Sequence, residues 1–135
     1  YCYLFIKEII LGEKTMDVIK DFMSTPVLSV NVQTTVEETA KVMEEKGISC
    51  LLVKENEGPV GLITTSDLVK RVIARGLDPK TTEVHSIMSK PLITLNHYLT
   101  RSDANELMQR NKIKHLAVTE QNSVIGILTP KDMIS

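Results

Sequence analysis

The sequence predicts an α/β (α+β) fold built from two tandem β-α-β-β-α repeats. Shifting the sequence by 65 residues aligns 23–70 with 88–135 without a gap, and 13 of the 48 positions are identical. Each copy also alternates short apolar runs with helical periodicity in the same order. Because half of a 135-residue chain has little interior of its own, we expect the two copies to pack together with pseudo-two-fold symmetry.

The composition is that of a soluble globular protein and argues against nucleic-acid binding. Apolar residues make up 42% and charged residues 24%, the formal net charge is -1, and aromatic residues make up 4% with no Trp. Nucleic-acid binding usually needs a basic excess and aromatic platforms. The two cysteines, Cys2 and Cys50, form no disulfide framework and no metal-ligand spacing, so we expect a cytoplasmic protein without a metal site.

The chain divides into four predicted segments. Residues 1–16 form an N-terminal docking segment, whose apolar run is shorter than the roughly 20 residues that span a bilayer, so no membrane association is expected. Residues 17–76 form repeat 1, residues 77–83 a linker, and residues 84–135 repeat 2.

Capping signals and apolar periodicity place the elements of each repeat. Thr35 opens a helix with a capping box to Glu38, and Gly47 ends it in the left-handed conformation. Thr100 opens the equivalent helix of repeat 2. The other predicted elements are strands at 27–30, 50–53 and 60–63 and a helix at 67–75 in repeat 1, and strands at 92–95, 116–118 and 124–128 and a short helix from Lys131 in repeat 2.

The duplicated turn between the last strand and the last helix is the candidate for chemistry. It reads GLITTSD at 61–67 and GILTPKD at 126–132. The start of a helix offers unpaired amides that suit a phosphate, and a neighbouring carboxylate can accept hydrogen bonds from ribose hydroxyls. The pattern therefore predicts a site for a nucleoside phosphate.

A purely structural interpretation of the same turns stays open. Thr64 and Thr129 are good N-caps, and Asp67 and Asp132 could complete capping boxes. Glu or Gln is usual at that position, and Asp is short for the reach back, so Asp in both copies favours an outward-facing role. The basic stretch at 70–75 is expected to be solvated, although it could touch phosphates or a partner.

At these residues the chain resembles a pair of CBS domains, the cystathionine-β-synthase-type regulatory domains. The resemblance rests on the repeat length, the element order, the Pro before each first strand and the Gly-apolar-apolar-Thr-x-x-Asp turn, and it covers about residues 17–135. It implies that clefts between the repeats hold an adenosine derivative such as AMP, ADP, ATP or S-adenosylmethionine. It further implies a homodimer that regulates a partner protein, with no catalysis and no obligatory cofactor.

Carried over position by position, the resemblance implies two adenosine sites. Asp67 would bind the ribose of one ligand and Asp132 the ribose of the other. The first site would add Thr64 and Ser66 near the phosphates and a wall of Lys90, Pro91, Leu92, Ile113 and Lys114. The second would add Thr129 and Lys131 near the phosphates and a wall of Thr25, Pro26, Val27, Ile48 and Ser49.

Positive charge favours the second of these sites. Repeat 2 has Lys114 and His115 before its apolar strand, where the family often has phosphate-facing basic residues, whereas repeat 1 has Ser49 and Cys50. We therefore expect the phosphates near Lys114, His115 and Lys131, with the Asp67 site as a second, weaker one. The alternative hypothesis is a protein-interaction adaptor with vestigial clefts and no ligand.

Overall fold

The computed structural model describes residues 17–56 and 58–133, which form two compact units. The first-repeat unit is Val27–Ile93, and the second-repeat unit consists of residues 17–26 and 94–133. Each unit contains one three-stranded sheet and its helices. The predicted α/β (α+β) fold with tandem β-α-β-β-α repeats is confirmed. The predicted docking segment, residues 1–16, lies outside the described residues.

The first-repeat unit is built around a central strand whose middle residues are buried. Its sheet has the order β1-β2-β3, with β1 parallel and β3 antiparallel to β2. Leu51, Leu52 and Val53 of β2 are all buried, as expected for a strand that is covered on both faces. The elements are β1 (Ser29–Asn31), α1 (Val36–Lys46), β2 (Cys50–Glu55), β3 (Gly58–Thr64) and α2 (Thr65–Leu68).

Helix α1 begins and ends where the sequence predicts. The hydroxyl of Thr35 accepts a hydrogen bond from the backbone N–H of Glu38 at 3.2 Å and caps the first turn, which is one half of the predicted capping box; a complete box is found at Thr64 and Thr100 instead. The buried face of the helix carries Val36, Thr39 and Met43, which recur at helical spacing. Gly47 follows with φ of 66°, the left-handed conformation that glycine adopts without a steric penalty.

The prediction of one regular helix at 67–75 is wrong in its form. Only Thr65–Leu68 is α-helical, and Val69–Ile73 continues as a π-helix. The backbone N–H of Ala74 donates to the carbonyl of Val69 at 2.8 Å, five residues back. Apolar periodicity over so short a segment does not distinguish the wider turn from a regular one.

The second-repeat unit has the same order of elements. Its strands have the order β4-β5-β6, and Leu116, Ala117 and Val118 of the central strand are buried. Its hairpin turns at Gln121 and Asn122, which both have positive φ. The elements are β4 (Thr94–Asn96), α3 (Arg101–Asn111), β5 (Leu116–Glu120), β6 (Ser123–Leu128) and a 3₁₀ turn (Pro130–Met133).

Each sheet is extended by the segment with which the other repeat begins in the sequence. We call these segments, residues 18–26 and 83–91, the lead-in segments. Ser89 exchanges two backbone hydrogen bonds with Leu62 of β3, at 3.0 and 2.8 Å. Ser24 does the same with Ile127 of β6, at 2.8 and 3.1 Å. The packing units therefore differ from the repeats of the sequence.

Close approach of the lead-in segments explains a repeated glycine. A Cβ atom on Gly61 would lie 2.7 Å from the carbonyl oxygen of Ser89. A Cβ atom on Gly126 would overlap the side chain of Met23. Because real Cβ atoms do not approach so closely, both positions need glycine for the lead-in segment to lie against its strand.

Candidate functional site

The turn from β3 into α2 holds Thr64 and Asp67 in a reciprocal capping box. The backbone N–H of Thr64 donates to Oδ2 of Asp67 at 3.0 Å, and the backbone N–H of Asp67 donates to the hydroxyl of Thr64 at 3.1 Å. Both side chains are buried, whereas Ser66 is exposed. Since the Thr64 hydroxyl acts as an acceptor in this bond, its own proton is not used there.

A serine from the lead-in segment also binds the Asp67 carboxylate. The hydroxyl of Ser89 lies 3.3 Å from both Oδ1 and Oδ2, and Nε of Arg71 lies 3.7 Å from Oδ1. Arg71 further donates from Nη1 to the carbonyls of Ile87 at 3.2 Å and Met88 at 3.1 Å. Arg71 of the basic stretch is still 42% exposed, and its guanidinium also satisfies backbone carbonyls of the lead-in segment.

The Cys50 thiol has a raised pKa, to which burial and the negative charge of Asp67 both contribute. Cys50 is the first residue of β2, pairs with Thr64 across the sheet and is partly buried. Burial raises the pKa of the Cys50 thiol to about 12, and the negative charge of Asp67 adds to the shift. The thiol is therefore protonated at neutral pH and is a poor nucleophile.

The equivalent turn after β6 has a related geometry. The backbone N–H of Thr129 donates to Oδ2 of Asp132 at 2.9 Å, and its hydroxyl donates to the same oxygen at 3.3 Å. The backbone N–H of Asp132 donates to the Thr129 carbonyl at 2.9 Å. Asp132 is partly buried and Lys131 is exposed, so this copy is more open to solvent than the Asp67 turn.

The capping interpretation of these aspartates, which the sequence left open, agrees with the structure, and Asp is not too short for the reach back here. The carboxylates of Asp67 and Asp103 both reach back to the backbone N–H of the N-cap threonine, and that of Asp132 reaches Thr129. The N-cap residue has an extended backbone in these helices, which turns its N–H toward the third residue. The type of acid at this position therefore does not by itself indicate a role outside the cap.

The predicted site residues are divided between the two units. The first-repeat unit contains Asp67 and the second-repeat unit contains Asp132, each with its own threonine. With Asp67 lie Val27, Ile48, Ser49, Thr64, Ser66, Lys90, Pro91 and Leu92. With Asp132 lie Thr25, Pro26, Ile113, Lys114, His115, Thr129 and Lys131.

Ser49 lies beside the Asp67 turn, although the resemblance assigns it to the Asp132 site. The backbone N–H of Thr65 donates to the carbonyl of Ser49 at 3.0 Å. Lys114 is the equivalent of Ser49 in the repeat, and its side chain is exposed. The residues that sequence reasoning missed are Ser89 and Arg71. The identity of Ser89 with Ser24 and the spacing of Arg71 four residues after Asp67 are the signals that could have indicated them.

A cleft of about 440 Å³ opens at the hairpin end of the first-repeat unit. Its polar rim includes His85, whose Nε2 lies 2.8 Å from Oε1 of Glu83. Lys90 is the predicted site residue in this lining. The lining as a whole is Val32, Gln33, Glu55, Val60, Glu83, His85, Met88 and Lys90.

Residues 17–56 and 58–133 contain neither a cluster of metal-binding side chains nor a membrane-spanning helix. No group of three or more His, Cys, Asp or Glu side chains is placed to hold a metal ion in this part of the chain. Within the same ranges, none of the helices has the length and apolar character that crossing a membrane requires.

Comparisons with known proteins match both repeats to one family. The CBS domain model matches residues 19–74 and 84–135. The CBS domain-containing protein YhcV of Bacillus subtilis is 31% identical over 118 residues, which are 87% of this chain and 84% of the relative. A crystal structure of an uncharacterized conserved protein from Pyrococcus horikoshii has a TM-score of 0.79 and 32% identity, over 87% of this chain and 89% of that chain.

A further relative is an enzyme, and this chain matches only a small part of that enzyme's length. The inosine-5'-monophosphate dehydrogenase of Methanocaldococcus jannaschii is 34% identical over 119 residues, which are 87% of this chain but 22% of that enzyme. The shared region is thus a minor part of the dehydrogenase, and the likeness extends to the module rather than to the whole enzyme. With both repeats matched by the same family model, the chain belongs to the CBS domain family and carries a pair of these domains.

Proposed function

We propose that this chain is a non-catalytic regulatory module that reversibly binds an adenine nucleotide or S-adenosylmethionine. The observation that carries the proposal is the duplicated turn, in which a threonine and an aspartate are held together at the end of a buried strand in both units. Membership of the CBS family supports it, since such modules are commonly regulatory and nucleotide-binding in other proteins. Because the match covers only a small fraction of the dehydrogenase, it supports a non-catalytic role for this module.

Each part of the turn has a distinct role in this proposal. The aspartate carboxylate accepts hydrogen bonds from ribose hydroxyls, as acidic residues do in dinucleotide sites. Lysine ammonium groups attract the phosphates, because a bond between charged partners is about twice as strong as a neutral one. We assign the main site to Asp132, since Lys114 and Lys131 are exposed cations of the same unit. Asp67 has Ser49 and Ser66 at the equivalent positions and serves the second site.

Regulation follows from differential affinity. A ligand that binds one arrangement of the protein more tightly shifts the population toward that arrangement and stabilises it. At a ligand concentration 100 times the dissociation constant, the gain in unfolding free energy is about 2.7 kcal/mol. The ligand would therefore raise the melting temperature and change how the module contacts a regulated protein.

The direct test is isothermal titration calorimetry with AMP, ATP and S-adenosylmethionine, each repeated by thermal shift. Asp132→Ala should weaken binding of the active ligand by roughly 10- to 100-fold, because a hydrogen bond to a charged group is lost. Asp103→Ala is the matched control. It removes a carboxylate that accepts hydrogen bonds from the backbone N–H and the hydroxyl of Thr100 at 3.1 and 3.0 Å, as Asp132 does from Thr129, but that lies outside the duplicated turn.

The control separates ligand binding from helix capping. If Asp103→Ala weakens binding as much as Asp132→Ala, the effect comes from stability and the proposed role of Asp132 is wrong. If none of the three ligands gives heat or a thermal shift with the wild-type chain, the proposal fails, and the adaptor hypothesis, in which the module acts through its surface alone, takes its place.

A further inference from the structure

The carboxylate of Asp67 is occupied by groups of its own chain. Oδ2 accepts the backbone N–H of Thr64 at 3.0 Å, and the Ser89 hydroxyl lies 3.3 Å from both oxygens. Nε of Arg71 adds a cation at 3.7 Å from Oδ1, and the side chain of Asp67 is only 10% exposed. The carboxylate retains lone pairs, but so little of it is exposed that a ribose hydroxyl reaching it would compete with these partners for the same space.

Ser89 is the partner that a ligand can displace most easily. Its hydroxyl is shared between two oxygens at 3.3 Å, well beyond the usual 2.7–2.8 Å of a hydroxyl donor. The Thr64 bond is shorter and completes the cap of α2, so breaking it would also expose a backbone amide. Exchange of one hydroxyl donor for another keeps the carboxylate satisfied, and the cost of displacing Ser89 is accordingly small.

Ser89 belongs to a lead-in segment that the same network holds. Arg71 donates to the carbonyls of Ile87 and Met88, and Ser89 exchanges backbone hydrogen bonds with Leu62. We call Asp67, Ser89 and Arg71 the Asp67 network. Loss of the Ser89 contact removes one of the hydrogen bonds that hold residues 87–89 against the turn. A ligand that binds Asp67 would therefore loosen this segment.

The second copy of the turn has no equivalent contact in the described part of the chain. Ser24 pairs with Ile127 through its backbone as Ser89 does with Leu62, but Ser24 is exposed and no hydrogen bond joins its hydroxyl to Asp132. Thr129 donates to the Asp132 carboxylate from its backbone N–H and from its hydroxyl. The identical serines of the two repeats thus have different roles.

We propose that the Ser89 hydroxyl is an intramolecular competitor for the ligand of the Asp67 site, and that its displacement loosens residues 87–89. The inference rests on the proposed nucleotide binding and deepens it. It makes the two sites unequal: the Asp132 site fills first, and the Asp67 site fills at higher ligand concentration and carries the conformational response.

The test isolates the Asp67 site by measuring AMP binding calorimetrically in Asp132→Ala. Adding Ser89→Ala should tighten AMP binding by roughly three- to tenfold, because the Ser89 hydroxyl no longer competes with the ligand for the Asp67 carboxylate. Ser89→Thr in the same background keeps the hydroxyl and should bind AMP as Asp132→Ala does. The matched control is Ser24→Ala in Asp67→Ala, where the Asp132 site should bind AMP unchanged.

Hydrogen exchange supplies an independent measurement that does not depend on the substitution of Ser89. In Asp132→Ala, saturating AMP should speed exchange of the Leu62 and Ser89 amides, which pair the lead-in segment with β3. Unchanged or weakened AMP affinity in the Ser89→Ala double variant, or slower exchange at these amides, would overturn the inference while leaving nucleotide binding at Asp132 intact. Absence of binding in the wild-type chain would overturn the proposed function as well.

Discussion

Cys50 shows how one residue is made chemically inert by its position. It begins the buried strand β2, next to the turn that holds Asp67. Removing the thiol from water disfavours its charged form, and the neighbouring carboxylate disfavours it further, so the pKa of Cys50 rises to about 12. The equivalent residue of repeat 2 is His115, so the same position carries a thiol in one repeat and an imidazole in the other.

We expect Cys50 to resist alkylation in the folded protein. With a pKa of about 12, roughly one thiol in ten thousand is ionised at pH 8, against about a quarter for an ordinary cysteine. The thiolate fraction rises only as the pH approaches 12, so reactivity should increase about tenfold per pH unit between 8 and 10. Mass spectrometry of iodoacetamide labelling, with Cys2→Ser to remove the other thiol, measures the rate. Equal rates in native and urea-unfolded protein would contradict the assignment.

At the scale of elements, the contact between each lead-in segment and its sheet decides the architecture of a unit. The segment lies against β3 or β6 at a glycine, and Met88 and Met23 fill the space beside those glycines.

The C-terminal caps of the two equivalent helices differ: α1 ends at Gly47, whereas α3 ends at Lys112 with φ of 56°. A left-handed lysine is less favourable than a glycine, so repeat 2 lacks the better cap.

Gly61→Ala should destabilise the protein by about 1–3 kcal/mol, because the new methyl group meets the Ser89 carbonyl at 2.7 Å and Sδ of Met88 at 2.9 Å. The measurement is urea unfolding followed by circular dichroism. Gly58→Ala is the control in the same strand, since its nearest neighbour would be the Glu55 carbonyl at an ordinary 3.5 Å. A loss for Gly61→Ala no larger than that for Gly58→Ala would show that the lead-in segment does not need this glycine.

At the scale of the whole molecule, an apolar surface remains exposed on the first-repeat unit. Val69, Ile73 and Leu77 are 59%, 67% and 41% exposed, on and after the π-helical segment. Exposed Lys70 and Arg75 lie between them, whereas the nearby helix α1 exposes several glutamates. Large apolar side chains grouped on a charged surface are typical of protein interfaces. This surface is where we place the contact of the predicted homodimer.

Ile73→Glu should therefore reduce self-association by placing a charge within that contact. Sedimentation equilibrium of the wild-type chain and the variant over a range of concentrations measures the change in dissociation constant, for which we expect roughly 10- to 100-fold weakening. Tyr98→Glu is the control, because Tyr98 is a similarly exposed large side chain on the second-repeat unit. If the wild type is a monomer throughout, or if both variants behave alike, the homodimer or its placement on this surface is wrong.

Local patterns in the sequence determined the tandem repeats, the order of elements and the capped ends of the helices. Those features depend on hydrogen bonds within three to five residues, such as the Thr35 cap, and on the apolar run of β2. Only the tertiary structure decided that the lead-in segments extend the sheets and that Ser89 and Arg71 meet at Asp67. Ser89 and Asp67 are 22 residues apart, and identical serines in the two repeats differ in their contacts, because packing rather than local sequence brings such groups together.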